Sequence, residues 1–159
     1  YLMANSHLAH NVQLGNKVIL ANGVLLAGYV EVGDGVFMGG NAAIHQFCRI
    51  GRLVMIAGLS AISKDVPPFF MTSTGGYNEI IGLNVVGMRR AGMSPQDRSA
   101  VKKTFQLLYR SGFNINQALE KIRRDMNEPP VLEICDFAEK SKRGICHASV
   151  SHLETEQNL

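Results

Sequence analysis

Val18-Ile19-Leu20-Ala21-Asn22-Gly23, Val24-Leu25-Leu26-Ala27-Gly28-Tyr29, Val30-Glu31-Val32-Gly33-Asp34-Gly35 and Val36-Phe37-Met38-Gly39-Gly40-Asn41 are four consecutive hexads of one pattern. Each opens on valine, carries an apolar third residue and follows it with alanine or glycine. The pattern reaches upstream to Ser6 and downstream to Val66. Its first positions include Val12, Ala42, Cys48, Val54 and Ser60. Its third positions include Leu8, Leu14, Ile44, Ile50, Ile56 and Ile62. The fourth positions are small everywhere except at His45. An α-helix at 3.6 residues per turn would scatter such positions around its axis. A lone alternating strand would not demand a small residue at every sixth place. A triangular solenoid satisfies both facts: each hexad makes one flat face, three hexads make a coil, and coils stack at ~4.8 Å. First and third positions point inward, and the small fourth residue is expected at the corner.

Asp65-Val66-Pro67-Pro68 is expected to end the repeat, because two prolines remove ladder donors. Residues 1–68 are thus read as coils, 69–83 as a connecting loop, 84–147 as a small α-helical domain and 148–159 as a polar tail. Within the helical part, Asn84–Arg90 reads as a short helix. Ser94-Pro95 offers an N-cap followed by proline at N1. Val101, Phe105 and Leu108 then share one helical face up to a stop near Gly112. Further helices are expected over 115–126 and, after Pro129-Pro130, over 131–142.

With 46% hydrophobic and 18% charged residues in 159, the chain can bury a core. The formal net charge of +3 suits an acidic or phosphorylated partner without pointing to nucleic acid. Cys48, Cys135 and Cys146 show neither disulfide nor zinc spacing, which fits a reducing compartment. No stretch reads as a transmembrane segment or a signal peptide. The chain opens on patterned sequence without an initiator methionine, so further residues upstream are expected.

A solenoid of short faces has little interior room, so chemistry belongs on its outside. His7 and His10 fall at outward positions, and His45 takes a place meant for a small residue. Stacking at eighteen residues sets His10, Gly28, Gln46 and Lys64 on one edge. Imidazole titrates near neutrality and is the natural general base there. Each residue also has a plainer reading: surface histidines as solvated filler, His45 as a packed corner, Gly28 as turn chemistry, Asn84 as a helix cap and Arg90 as a solvated charge. Zinc held by three histidines across a subunit boundary is a rival reading, and trimeric solenoid carbonic anhydrases use that arrangement.

The segments Asn5-Ser6-His7-Leu8-Ala9-His10-Asn11, Leu26-Ala27-Gly28, Ile44-His45-Gln46-Phe47-Cys48, Asp65-Val66-Pro67-Pro68, Gly82-Leu83-Asn84 with Arg89-Arg90, and Leu108-Tyr109-Arg110-Ser111-Gly112 carry a resemblance. In order and spacing they resemble the acyl-carrier-protein-dependent UDP-N-acetylglucosamine O-acyltransferases of lipid A synthesis, from residue 1 to about 145. The resemblance implies a left-handed parallel β-helix, a hexapeptide-repeat solenoid followed by a small C-terminal α-helical domain. It implies a cytoplasmic homotrimer with no metal and no cofactor. His10 would be the general base and Gly28 the backbone donor to the oxyanion. His7, Asn11, His45 and Gln46 would position substrate. Asn84 and Arg90 would contact the nucleotide, and Gly58 would leave a groove open for a long 3-hydroxyacyl chain. The basic helical face would dock the carrier protein. Four residues depart from the family's pattern: Asn11 stands for an acid, Tyr29 for a histidine, Val86 for an acid and Ala91 for an arginine. A related N-acyltransferase, a zinc hydratase and a truncated, non-catalytic trimeric solenoid are the alternatives. Outward Leu25, Phe37 and Met55 favour burial against other copies.

Overall fold

The computed structural model describes residues 1–148. The expected tail therefore lies outside the described residues beyond Ala148. Ten two-residue strands follow the hexads: β1 (His7–Leu8), β2 (Gln13–Leu14), β3 (Ile19–Leu20), β4 (Leu25–Leu26), β5 (Glu31–Val32), β6 (Phe37–Met38), β7 (Ala43–Ile44), β8 (Arg49–Ile50), β9 (Met55–Ile56) and β10 (Ala61–Ile62). Each pairs in parallel with the strand eighteen residues away, as His7 with Leu25 and Ile19 with Phe37. The first face is β1-β4-β7-β10, the second β2-β5-β8, and the third begins β3-β6-β9. This is the expected parallel β-helix.

First and third hexad residues form the core: Val24, Leu26, Val30, Val36, Met38, Val54 and Ile56 are all fully buried. The corner itself differs from expectation. The bend falls at the fifth and sixth positions, not the fourth. Asn5, Asn11, Lys17, Gly23, Tyr29, Gly35, Asn41, Phe47, Leu53 and Leu59 all take φ between 55° and 72°. For residues with a Cβ this left-handed region costs about 1–2 kcal/mol each, which stacking of the coils must offset. The fourth residue is small for another reason: the next coil crosses close above it. At the second corner a methyl on Gly33 would lie 2.6 Å from the backbone nitrogen of Arg52.

The solenoid also runs past the prolines. One corner is shortened by two residues, so Ile50 pairs with Val66 rather than with Pro68. Pro67 and Pro68 thereby occupy fourth and fifth positions of a corner, followed by Phe69 with φ 73°. The fifth-position N–H makes no ladder bond, so Pro68 costs none, whereas Pro67 gives up a fourth-position donor of the kind that Gly33 N and Gly51 N supply. The expected loop contains two strands, β11 (Phe70–Thr72) and β12 (Glu79–Leu83). Met71 extends the third face on Met55, and Tyr77 bridges Ala61 on the first. β12 pairs antiparallel with β11 and parallel with β13 (His147–Ala148).

Four helices follow: α1 (Val85–Arg90), α2 (Pro95–Tyr109), α3 (Ile115–Asp125) and α4 (Pro129–Glu139). Ser94 caps α2 by accepting from Asp97 N, and Asn114 with Gln117 makes a capping box on α3. The last helix starts earlier than expected, since Pro129 and Pro130 fit its first turn, where N–H groups have no partner anyway. Phe70 joins the units, with Phe105 and Tyr109 of α2 at 5.5 and 5.8 Å between ring centroids. α4 docks on the solenoid through Arg52, whose Nε donates to Glu133 at 2.8 Å, and Arg49, whose guanidinium lies 4.4 Å from the Phe137 ring. Buried Asp65 ties the segment after α4 back: Oδ1 accepts from Arg49 N at 2.8 Å and Oδ2 from Ser141 Oγ at 2.7 Å.

Burial pushes the thiols of Cys48 and Cys135 up to about 11 and that of Cys146 to about 12. The unfolded chain releases these protons from about pH 8.5, while the fold retains them. Stability is therefore whole below that pH and falls as pH rises towards 11. Urea midpoints taken from pH 7 to 10.5 should show the decline, with a smaller slope in Cys48→Ala. Gly33→Val should cost about 1–3 kcal/mol by overpacking. Gly82→Ala, with no atom within 4 Å of the added carbon, should stay within about 0.5 kcal/mol.

Candidate active site

Corner repetition stacks equivalent residues into columns. At the first corner, fifth positions stack His10 under Gly28 and Gly28 under Gln46, while sixth positions stack Asn11, Tyr29 and Phe47. The imidazole of His10 lies against the Gly28 backbone. A methyl on Gly28 would sit 2.7 Å from both Cε1 and Nε2 of His10. His10 Nδ1 is 3.2 Å from Asn11 Oδ1, which makes Nδ1 the donor and leaves the Nε2 lone pair open. The Tyr29 ring stands perpendicular to the imidazole, with centroids 5.1 Å apart.

Gly28 is buried, and its carbonyl accepts from Phe47 N at 3.1 Å. Its N–H has no acceptor among the described residues, as befits an outward fifth-position donor. His7 is exposed on β1, three residues before His10 and in register with Leu25. His45 and Gln46 are exposed on the third coil of the same corner, with His45 Nδ1 3.2 Å from the Gln46 carbonyl. The chain thus brings His7, His10, Asn11, Gly28, His45 and Gln46 to one edge.

The remaining expected residues lie elsewhere. Asn84 caps α1: its Oδ1 accepts from Gly87 N at 2.9 Å, and its Nδ2 donates to the Leu53 carbonyl at 2.8 Å. Both ends of the amide are occupied, so its observed work is to seat α1 on the second corner. Exposed Arg90 shares with it a cavity of about 790 Å³ also lined by Asn16, Lys17, Asp34 and Phe37. Gly58 sits on the third corner, where a methyl would be 3.3 Å from the Gly40 carbonyl. Three groups therefore occupy three corners, and one chain does not join them. The basic helical face is partly neutralised. Lys121 pairs with Asp125, and Arg123 with Asp136 and Glu139. The Arg123 hydrogen bonds hold both of its carboxylate partners below their ordinary range. Among the described residues no three His, Cys, Asp or Glu side chains group as a metal site.

A profile of UDP N-acetylglucosamine O-acyltransferase, domain 2, matches residues 65–146, just over half of the chain. The chain belongs to the UDP-N-acetylglucosamine O-acyltransferase family. The acyl-[acyl-carrier-protein]–UDP-N-acetylglucosamine O-acyltransferase of Synechocystis sp. is 43% identical over 140 residues, covering 88% of this chain and 50% of the relative. Among solved structures, LpxA from Acinetobacter baumannii superposes with a TM-score of 0.85 at 39% identity, over 92% of this chain and 57% of its own. The UDP-N-acetylglucosamine acyltransferase from Campylobacter jejuni gives 0.82 at 37% identity, over 89% of this chain and 55% of its own. The chain spans about half the length of the curated relatives it matches.

The O-acyltransferase resemblance did not reveal the Tyr29–Phe47 stack, whose rings lie 5.0 Å apart at 15°. Sixth-position stacking every eighteen residues was the available signal. Gly28→Ala should drive the His10 ring off its seat and shift its Cε1–H resonance, while Gly58→Ala leaves that resonance in place. NMR of the two variants checks this, and an unmoved His10 signal in Gly28→Ala would contradict the contact.

Proposed function

We propose that the chain forms the catalytic part of an acyltransferase. It moves a 3-hydroxyacyl chain from acyl carrier protein to the 3-position of UDP-N-acetylglucosamine, the first step of lipid A biosynthesis. The observation that carries this reading is the His10 imidazole seated on the Gly28 backbone, one ring nitrogen held and the other open. His10 Nε2 takes the proton of the sugar 3-hydroxyl as that oxygen bonds to the thioester carbonyl carbon. Charge gathers on the carbonyl oxygen, where the fixed Gly28 N–H donates to it. The carbon–sulfur bond then breaks, the ester remains on the sugar, and His10 returns the proton to the departing carrier thiol. Asn11 orients the imidazole through its amide oxygen, without the charge that a carboxylate would bring.

In this reading His7, His45 and Gln46 position the acceptor and Arg90 meets the nucleotide phosphates, for which a guanidinium is suited. Asn84 acts there by seating α1. Gly58 leaves room for a long acyl chain. A homotrimer in the cytoplasm completes the site by bringing corners of neighbouring chains together, and exposed Leu25 and Phe37 favour such burial. Exposed Lys102 and Lys103 of α2 suit an acidic carrier protein. No helix among the described residues is long and apolar enough to cross a membrane.

The test is acyl transfer from a long-chain 3-hydroxyacyl carrier protein to UDP-N-acetylglucosamine, with the chain in its native polypeptide. His10→Ala should lower turnover by about 10²–10⁴-fold. Turnover only on a 3-amino analogue would move the acceptor from hydroxyl to amine. Failure on both acceptors would overturn the reading. Sedimentation should give three times the chain mass.

A further inference from the structure

The sixth hexad position demands the left-handed region, which Asn and Gly enter most easily. Asn11, Gly23, Gly35 and Asn41 follow that rule. Tyr29 and Phe47 do not, with φ of 59° and 62°. Phe69, at a matching corner, is fully buried, so burial offsets its strain. Tyr29 and Phe47 leave 46% and 52% of their surface exposed. Lys17, Leu53 and Leu59 take the same turn with φ of 57°, 55° and 61°, so coil stacking carries it in every case and leaves the two exposed rings to pack on each other and on the imidazole beside them.

Those contacts converge on His10. Asn11 holds Nδ1 through one bond of 3.2 Å, long for a hydrogen bond to a ring nitrogen. An amide supplies no charge to tighten it. One such bond leaves the ring free to swing about its axis. The Tyr29 ring, at 86° to the imidazole, closes one side, and the Gly28 backbone closes another. Tyr29 is itself held by the nearly parallel Phe47 ring one coil above. Perpendicular and offset-stacked rings are the arrangements that aromatic quadrupoles favour.

We propose that Tyr29, backed by Phe47, is a positioning residue for His10. It sets the imidazole plane so that Nδ1 stays on Asn11 and Nε2 is presented over Gly28. The aromatic column thus takes on orienting work that a charged partner of Nδ1 would otherwise perform. The effect on turnover rests on the acyl-transfer reading, whereas the ring geometry does not.

The experiment compares Tyr29→Phe, Tyr29→Leu and Phe47→Leu with the parent, with the chain in its native polypeptide. Two quantities are read: the His10 tautomer from ¹⁵N imidazole shifts, and kcat and KM for acyl transfer. Urea midpoints confirm that each variant is folded. Tyr29→Phe should match the parent, because the ring and not the hydroxyl makes the contact. Tyr29→Leu should mix the tautomers and lower kcat about tenfold with KM nearly unchanged, a loss of orientation rather than of binding. Phe47→Leu should fall between. A Tyr29→Leu variant with the parental tautomer and parental kcat overturns the proposal, and so does a mixed tautomer without loss of kcat. If the parent transfers no acyl group, the acyl-transfer reading fails by itself. The tautomer ratio then decides the positioning alone, a parental ratio in Tyr29→Leu refuting it.

Discussion

Each corner of the solenoid turns by placing the sixth residue of a hexad in the left-handed region, and the rest of the molecule depends on that repeated turn. It fixes the coil at eighteen residues and brings the same hexad position back directly above itself. Inward positions then build a continuous column of valine, leucine and isoleucine. Outward positions build columns of chosen chemistry. The strain of each turn is local, while its compensation is spread along the stack: the backbone ladder above and below, and buried apolar area at about 25 cal/mol per Å². A solenoid in this form is stabilised by neighbours rather than by any single coil.

The same stacking produces the candidate site. His10 and Gly28 are far apart in sequence, yet the turn superimposes them as consecutive fifth residues. The fifth residue joins the ladder through its carbonyl alone, as Gly28 accepts from Phe47 N, and its N–H makes no ladder bond. The His10 imidazole set against the Gly28 backbone is thus a consequence of the corner rather than an addition to it. The aromatic column of Tyr29 and Phe47 arises in the same way from sixth positions. Arg90 and Gly58 belong to other corners of the triangle, and this separation is why neighbouring chains enter the proposed reaction.

The coils need an ending, and Asp65 supplies much of it. Its carboxylate receives a backbone N–H from Arg49 and the hydroxyl of Ser141, while its backbone bonds to Gly144 and Cys146. The segment after α4 is thereby laid over the last coil, where unpaired ladder groups would otherwise remain. Tyr109 adds a bond from its hydroxyl to the Cys146 carbonyl, coupling α2 to the same closure. Burial pushes that phenol well above its ordinary range. Arg49 and Arg52 extend the closure to α4, each pairing a guanidinium with an aromatic face.

Periodicity and residue type were enough to determine the coil, its inward residues, the edge shared by His10, Gly28 and Gln46, and the helix starts at Ser94 and Asn114's neighbourhood. These follow from local chemistry repeated many times, which a linear pattern records. Where the bend falls within the hexad was decided only in three dimensions, because the small fourth residue answers to the coil above and not to its own turn. The two-residue shortening that carries Val66 onto Ile50 was equally invisible, since prolines read alike whether they end a ladder or occupy a corner. The sequence named Asn84 both as a cap and as a ligand, and only the Leu53 carbonyl, far back along the chain, shows its amide committed at both ends. Contacts between distant coils depend on register, and register is a property of the packed molecule.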